Sequence, residues 1–177
     1  FRSGGVAVCP AAEHHAVLHC VEHVGGVVVR VNSVGTVDLD ELQRVLESAT
    51  DDQPITVVSV MAVNNEVGSI TPMRDVARIV RKYAPQAILH TDAVQAACWL
   101  DLREVTPLVD ALSLSAHKFG GPKGVGVMVI KTGKNLEPLI FGGGQERDRR
   151  SGTHNVAGII ATAKALEVTD KTRVEET

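Results

Sequence analysis

Apolar residues fall into two patterns that alternate along the chain: short unbroken runs, and longer stretches in which they recur every three or four positions. The runs Val6–Cys9, Val27–Val31, Ile55–Met61, Ala87–His90, Ala111–Ser115 and Gly126–Ile130 have the length and the Val/Ile/Leu content of strands. They lack polar/apolar alternation, which predicts strands covered on both faces. The periodic stretches predict helices over Glu13–Val24, Asp38–Ser48, Met73–Tyr83 and Asn155–Val168. Val17, Val21 and Val24 share one face of the first, and Leu39, Leu42 and Leu46 one face of the second. Asp38 suits an N-cap, because its carboxylate can accept from the free amides of the first turn, and Glu41 follows three residues later. Gly68, Pro72, Pro107, Pro122 and the run Gly142–Gly144 mark turns. Strands alternating with helices predict an α/β fold, a mostly parallel sheet with flanking helices.

Composition narrows the function classes. With 177 residues, 44% hydrophobic and 22% charged, the chain can bury one core. Aromatic residues are only 3%, so Val, Ile, Leu and Ala must build it. A net charge of −3 without a block of like charges predicts no nucleic-acid partner. The apolar runs are far shorter than the roughly 20 residues of a membrane-spanning helix, so no membrane is expected. Three cysteines, Cys9, Cys20 and Cys98, without a CxxC spacing argue against a disulfide framework or structural zinc, and fit a reducing, cytoplasmic location. The first residue is Phe1 and the last segment, Lys171–Thr177, is charged, which predicts a piece of a longer polypeptide.

The chemistry concentrates after strands. Asn64–Glu66 follow one apolar run, His90–Gln95 (HTDAVQ) lie at the end of another, and Ser115–Lys118 (SAHK) end a third. Parallel strands deliver such loops to one edge, where an acid, an amine and several hydrogen-bond donors would converge. A half-buried lysine beside an imidazole is a usable nucleophile, with a Schiff base as its obvious product, and an Asp on a neighbouring strand could pair with a pyridinium nitrogen.

On these residues the chain resembles the cysteine desulfurase and selenocysteine lyase family, pyridoxal-phosphate enzymes of the class V aminotransferase group. The matching stretches are Ala12–Val17 (AEHHAV), Val63–Gly68 (VNNEVG), His90–Gln95, Ser113–Gly126 (SLSAHKFGGPKGVG) and Gly142–Gly158 (GGGQERDRRSGTHNVAG), in the family's order over almost the whole chain. The resemblance implies the large domain of a fold type I pyridoxal-phosphate transferase, with residues 1–177 as its central part. The N-terminal segment and the C-terminal small domain with its cysteine-bearing loop would lie outside.

It implies that Lys118 bonds the cofactor aldehyde and serves as base, that Asp92 pairs with the pyridine nitrogen, and that His14 stacks on the ring and moves protons. Gln95 would donate to the phenolate oxygen, Asn65 would sit near the substrate carboxylate, and Ser115 and His117 would hold the phosphate. Thr153 would reach the phosphate in the partner subunit of a homodimer. The implied reaction takes sulfur from L-cysteine onto an enzyme cysteine, releases alanine, and passes the sulfur to an acceptor protein for iron-sulfur clusters or thiolated cofactors. A selenocysteine lyase, or a scaffold of the same fold without catalysis, stands as the alternative.

Other features receive plainer readings. Cys9, Cys20 and Cys98 are expected to be packing residues, none of them the sulfur-carrying cysteine. His15, His19 and His23 lie four apart on one helical face and are expected in solvent, with no metal. Arg147, Arg149 and Arg150 suit either a solvated face or phosphate and partner contact. Gly120 stands where many relatives carry an aromatic residue. Residues 120–126, GGPKGVG, have neither the dinucleotide nor the P-loop spacing and precede a strand, which excludes a nucleotide site.

Overall fold

The computed structural model describes residues 4–134 and 136–176. Phe1 and Thr177, read above as the ends of a piece of a longer polypeptide, lie outside the described residues. Six strands form one sheet: β1 (Val6–Pro10), β2 (Val27–Val29), β3 (Ile55–Ser59), β4 (Ile88–Asp92), β5 (Ala111–Ser115) and β6 (Gly126–Ile130). Their order is β2-β1-β3-β4-β5-β6, and every pairing is parallel except β5 with β6, which is antiparallel. The mostly parallel α/β architecture is therefore present, with one reversed edge strand.

The helices are α1 (His15–His23), α2 (Leu39–Glu47), α3 (Met73–Tyr83), α4 (Ala96–Trp99), α5 (Leu102–Val105) and α6 (Val156–Glu176). The sequence pattern does not show α4 and α5, each a single turn. Asp38 caps α2 as expected, its Oδ1 accepting from Glu41 N at 3.0 Å. Glu41 does not return the bond: its Oε2 accepts instead from Arg30 N at 2.9 Å and Arg30 Nε at 2.7 Å. Those contacts take Arg30 out of the ladder, so β2 stops at Val29 and Val31 forms only a bridge with Val37. At the other end of the chain, Asn155 Oδ1 accepts from Gly158 N at 3.0 Å, and α6 continues well past Val168.

Successive residues of β1 point to opposite faces of the sheet and enter different clusters. Val8 packs in the main core with Leu42 and Leu46 of α2, Val76 and Val80 of α3, and Leu89 and Leu112 of the sheet. Ala7 and Cys9 pack against Val21 of α1 on the opposite face. The two edges depart from the expectation of fully covered strands: Val27 and Val28 on β2, and Val127, Met128 and Val129 on β6, are exposed. Val24 also departs from its expected apolar face, because it lies at the C-cap of α1 and is exposed.

Candidate active site

The strand order reverses between β1 and β3, and in such sheets ligands bind outside the carboxyl ends of the strands near that point. Four loops leave the sheet there. The segment after β1 carries Glu13 and His14, that after β3 carries Asn64 and Asn65, that after β4 carries Gln95, and that after β5 carries His117 and Lys118. Asp92 and Ser115 are the last residues of β4 and β5. Seven of the eight expected site residues, His14, Asn65, Asp92, Gln95, Ser115, His117 and Lys118, thus share one edge.

Asp92 is held most firmly. It is buried, its Oδ1 accepts from Val94 N at 2.9 Å, and its backbone carbonyl accepts from Ala62 N at 3.0 Å. The strand runs two residues further than its apolar run suggests, which places the carboxyl on rigid backbone rather than in a loop. Gln95 is half-buried at the start of α4. Behind Asp92, His90 bridges its neighbours on both sides, its Nδ1 2.8 Å from Ser59 Oγ and its Nε2 2.8 Å from Ser113 Oγ. Burial pushes the His90 imidazole below the usual histidine range, against the opposing pull of Asp92.

Lys118 lies in the helical turn Ala116–Phe119 and is exposed, not half-buried as the pattern predicts, because the turn carries it clear of the strand end. Its backbone is tied down on two sides: Cys98 Sγ donates to Lys118 O at 3.3 Å, and Thr169 Oγ1 of α6 donates to Phe119 O at 3.1 Å. Gly120 follows at φ +80°, a left-handed conformation open to glycine and strained for an aromatic residue. At Gly121 a Cβ would lie 2.9 Å from both Ala116 Cβ and Ala116 O, so only glycine permits this tight return. Ser115 Oγ and His117 Nδ1 lie 2.9 Å apart beside the lysine.

His14 is the N-cap of α1 and not part of the helix, its Nδ1 accepting from Ala16 N at 3.1 Å. His15 and His19 stack with ring centroids 4.6 Å apart, and among the described residues no three groups are placed to hold a metal ion. Cys9 is buried, and desolvation, with the charges of Glu13 and Glu22, pushes its thiol up to about 12. Cys20 is exposed, contrary to the packing role expected, because it lies on the outer side of α1.

Thr153 stands apart. It is exposed, and among the described residues no hydrogen bond joins it to the sheet edge. It follows a segment in which Glu146, Arg147 and Asp148 adopt φ of 52°, 58° and 62°, left-handed values that non-glycine residues rarely take in succession. Arg147 and Arg150 are exposed, and Arg149 Nη2 donates to Lys134 O at 3.4 Å.

Two contacts escape the sequence pattern. Asn64, not only Asn65, works at the edge: its Nδ2 donates to Ala12 O at 2.7 Å while its Oδ1 accepts from Glu66 N and Val67 N. Glu13 is only 6% exposed, and its Oε1 accepts from Met61 N. Together they fasten the His14 loop onto the β3 loop. Burial pushes the Glu13 carboxyl up to about 8, opposed by the Met61 N–H and reinforced by the charge of Asp92.

The chemistry of the donor set fits a pyridine cofactor bearing an aldehyde and a phosphate. An oriented buried carboxyl, a free primary amine, and a hydroxyl beside an imidazole occupy adjacent strand ends. Fold and edge together define an α/β protein whose candidate site residues run along the carboxyl ends of the strands, from the β1/β3 reversal to the lysine turn after β5. The chain belongs to the aminotransferase class-V family, whose profile matches residues 1–177.

Its relatives narrow the comparison. A cysteine desulfurase IscS from Dictyoglomus turgidum is 43% identical over 161 residues, 88% of this chain and 39% of that protein. A solved NifS-like protein is 42% identical with a TM-score of 0.83, covering 97% of this chain and 47% of that one. The structure of SspA in complex with cysteine is 30% identical with a TM-score of 0.77, covering 93% of this chain and 48% of that one. This chain spans about two fifths of the length of the curated relatives it matches, 39% and 44% for two of them.

Proposed function

We propose that the complete protein is a cytoplasmic, pyridoxal-phosphate-dependent cysteine desulfurase that works as a homodimer and hands sulfur to an acceptor protein. Residues 1–177 form the central part of its cofactor-binding domain. The observation that carries this reading is the convergence of Lys118 and Asp92 on one sheet edge, in a chain whose relatives are named cysteine desulfurases.

When bound, the cofactor supplies an electron sink for the pair left behind as a substrate proton departs. Asp92, oriented by the Val94 N–H, keeps a proton on the ring nitrogen. Lys118 Nζ would hold the cofactor at its aldehyde and would serve as the base for the substrate α-proton. Ser115 and His117 hold the phosphate, Gln95 donates to the phenolate oxygen, and Asn65 lies toward the substrate carboxylate. His14 would stack on the ring and help carry protons, with its loop fixed by Glu13 and Asn64. Thr153 contributes to the partner subunit's phosphate site.

The test is Lys118→Ala in the full-length protein. The parent protein should gain a visible absorption band with pyridoxal phosphate, carry a borohydride-stable label on Lys118, and release sulfide from cysteine in the presence of a thiol. The variant should lose the label and the sulfide. Sulfide release that survives the substitution would overturn the assignment, and relative turnover of cysteine and selenocysteine separates a desulfurase from a selenocysteine lyase.

A further inference from the structure

Glu13 Oε2 is the one buried side-chain oxygen or nitrogen among the described residues that has no hydrogen-bond partner. Such atoms are costly, and one that persists beside a site calls for an explanation. The partnered oxygen, Oε1, already receives the Met61 N–H, so the carboxyl cannot rotate to share it. Next to Glu13 is a small cavity of about 10 Å³, lined also by Ala12, Met61, Asn64 and Thr71. That is close to the space one water molecule needs. Asn64 and Thr71 are turned to Ala12 O and Met61 O, and neither hydrogen-bonds the free oxygen of the acid.

The titratable groups around Glu13 are few. Cys9 on β1 and Asp92 on β4 interact with it electrostatically, His90 lies behind Asp92 on the same strand, and His14 is the next residue. Among the described residues, no cation acts on its titration. A lone carboxylate here would face both desolvation and the negative charge of Asp92, and a neutral carboxyl avoids both.

We propose that Glu13 is a positioning residue that stores one proton at the base of the site, exchanges it through the adjoining cavity, and releases it more readily when a cationic ring sits at Asp92. The proposal rests on the reading of Asp92 as the partner of the cofactor nitrogen. Only the Glu13 O–H bond breaks, and the proton passes to buffer. While neutral, Glu13 leaves Asp92 as the single negative charge below the ring. By linkage, a ring cation that cancels the field of Asp92 removes one of the two influences that keep Glu13 protonated.

The experiment uses the full-length protein and Glu13→Gln, which keeps an acceptor for Met61 N and cannot titrate. Without cofactor, the folded-to-unfolded ratio of the parent should fall relative to the variant by about tenfold per pH unit as pH rises from 4.5 towards 8, then level. With pyridoxal phosphate bound, the levelling pH should move down. At pH 6.5 the variant should match the parent in its visible band, whereas Glu13→Ala, which strips the Met61 N–H, should not. Superimposable pH profiles of parent and Glu13→Gln without cofactor would overturn the proposal, and so would an unmoved levelling pH in protein that shows the band. If neither protein shows a band, the cofactor reading fails, while the cofactor-free profile still decides whether Glu13 holds a proton.

Discussion

Arg81 of α3 and Asp110, just before β5, form an ion pair whose two halves should respond very unequally to removal. Asp110 is 3% exposed and its Oδ2 accepts from Arg81 Nη1 at 2.8 Å and from Leu89 N at 3.0 Å, with Lys134 Nζ 3.8 Å from its other oxygen. The Arg81 side chain is 36% exposed and keeps access to water. Arg81→Met retains the aliphatic stem and strands a buried carboxylate, which ordinarily costs about 3–5 kcal/mol. The remaining Leu89 N–H and the distant Lys134 place this case near the lower end, at about 3 kcal/mol.

Asp110→Asn keeps an acceptor for Leu89 and gives up only the charge assistance, at about 1 kcal/mol. Once the charge is gone the arginine has little left to balance, so the double variant should also cost about 1 kcal/mol and not the sum. Burial raises the Asp110 carboxyl, but the Arg81 and Leu89 hydrogen bonds and the two cations outweigh it, leaving it below the ordinary range. Its stabilising effect is therefore complete at neutral pH and lost as pH falls through its depressed folded-state value. In Arg81→Met the carboxyl should titrate higher, so the penalty should be smaller at pH 5 than at pH 7. Urea unfolding at both pH values, with an unchanged denaturant slope, measures all of this. An Asp110→Asn cost equal to or above that of Arg81→Met, or additive behaviour in the double variant, would refute the reasoning.

Gly121→Ala should cost about 1–3 kcal/mol, because the new methyl meets Ala116 at 2.9 Å, and it should weaken labelling of Lys118 more than it weakens the fold elsewhere. Peptide mapping after borohydride reduction, beside a thermal melt, reads both; full labelling would show that the return need not be so tight. Arg147→Gly should be neutral or stabilising by up to about 1 kcal/mol, since relief of the φ of 58° exceeds the added chain entropy. A clear drop in melting temperature would show that the arginine side chain stabilises the segment.

Much of the sheet was legible because burial on a parallel sheet leaves unbroken aliphatic runs. The predicted strands Val6–Cys9, Ile55–Met61, Ala111–Ser115 and Gly126–Ile130 all coincide with observed ones to within two residues at either end. The direction of β6 was not legible, since a run of Val and Met reads the same in either sense. Asp92 was expected beyond a strand end and sits on the strand, because a polar residue buried at a site does not look apolar. Glu13 was hidden for a related reason. An acid before a periodic stretch reads as a first-turn helix residue, and only the contact with Met61, 48 positions later, turns it inward. Asn64 and Asn65 are identical to any rule based on residue type, and backbone turn geometry alone assigned the cross-loop bond to Asn64. The exposure of Lys118 and Cys20 likewise depends on how a turn and a helix are rotated, which composition does not encode.

The reversal between β5 and β6 gives Lys118 an unusual mechanical setting. A parallel crossover would have hung the lysine turn from one strand and let its far end ride on a helix. Here both ends of residues 116–125 enter strands that are hydrogen-bonded to each other, closing at the Ser115–Gly126 pair. The lysine turn is moored at two sides, like the foot of a crane, and the reach belongs to the four-carbon arm alone. In the proposed role, a covalent bond at Nζ would be made and broken by rotations of that arm while the mast stays still, so each cycle would lose and regain side-chain freedom without remodelling the sheet.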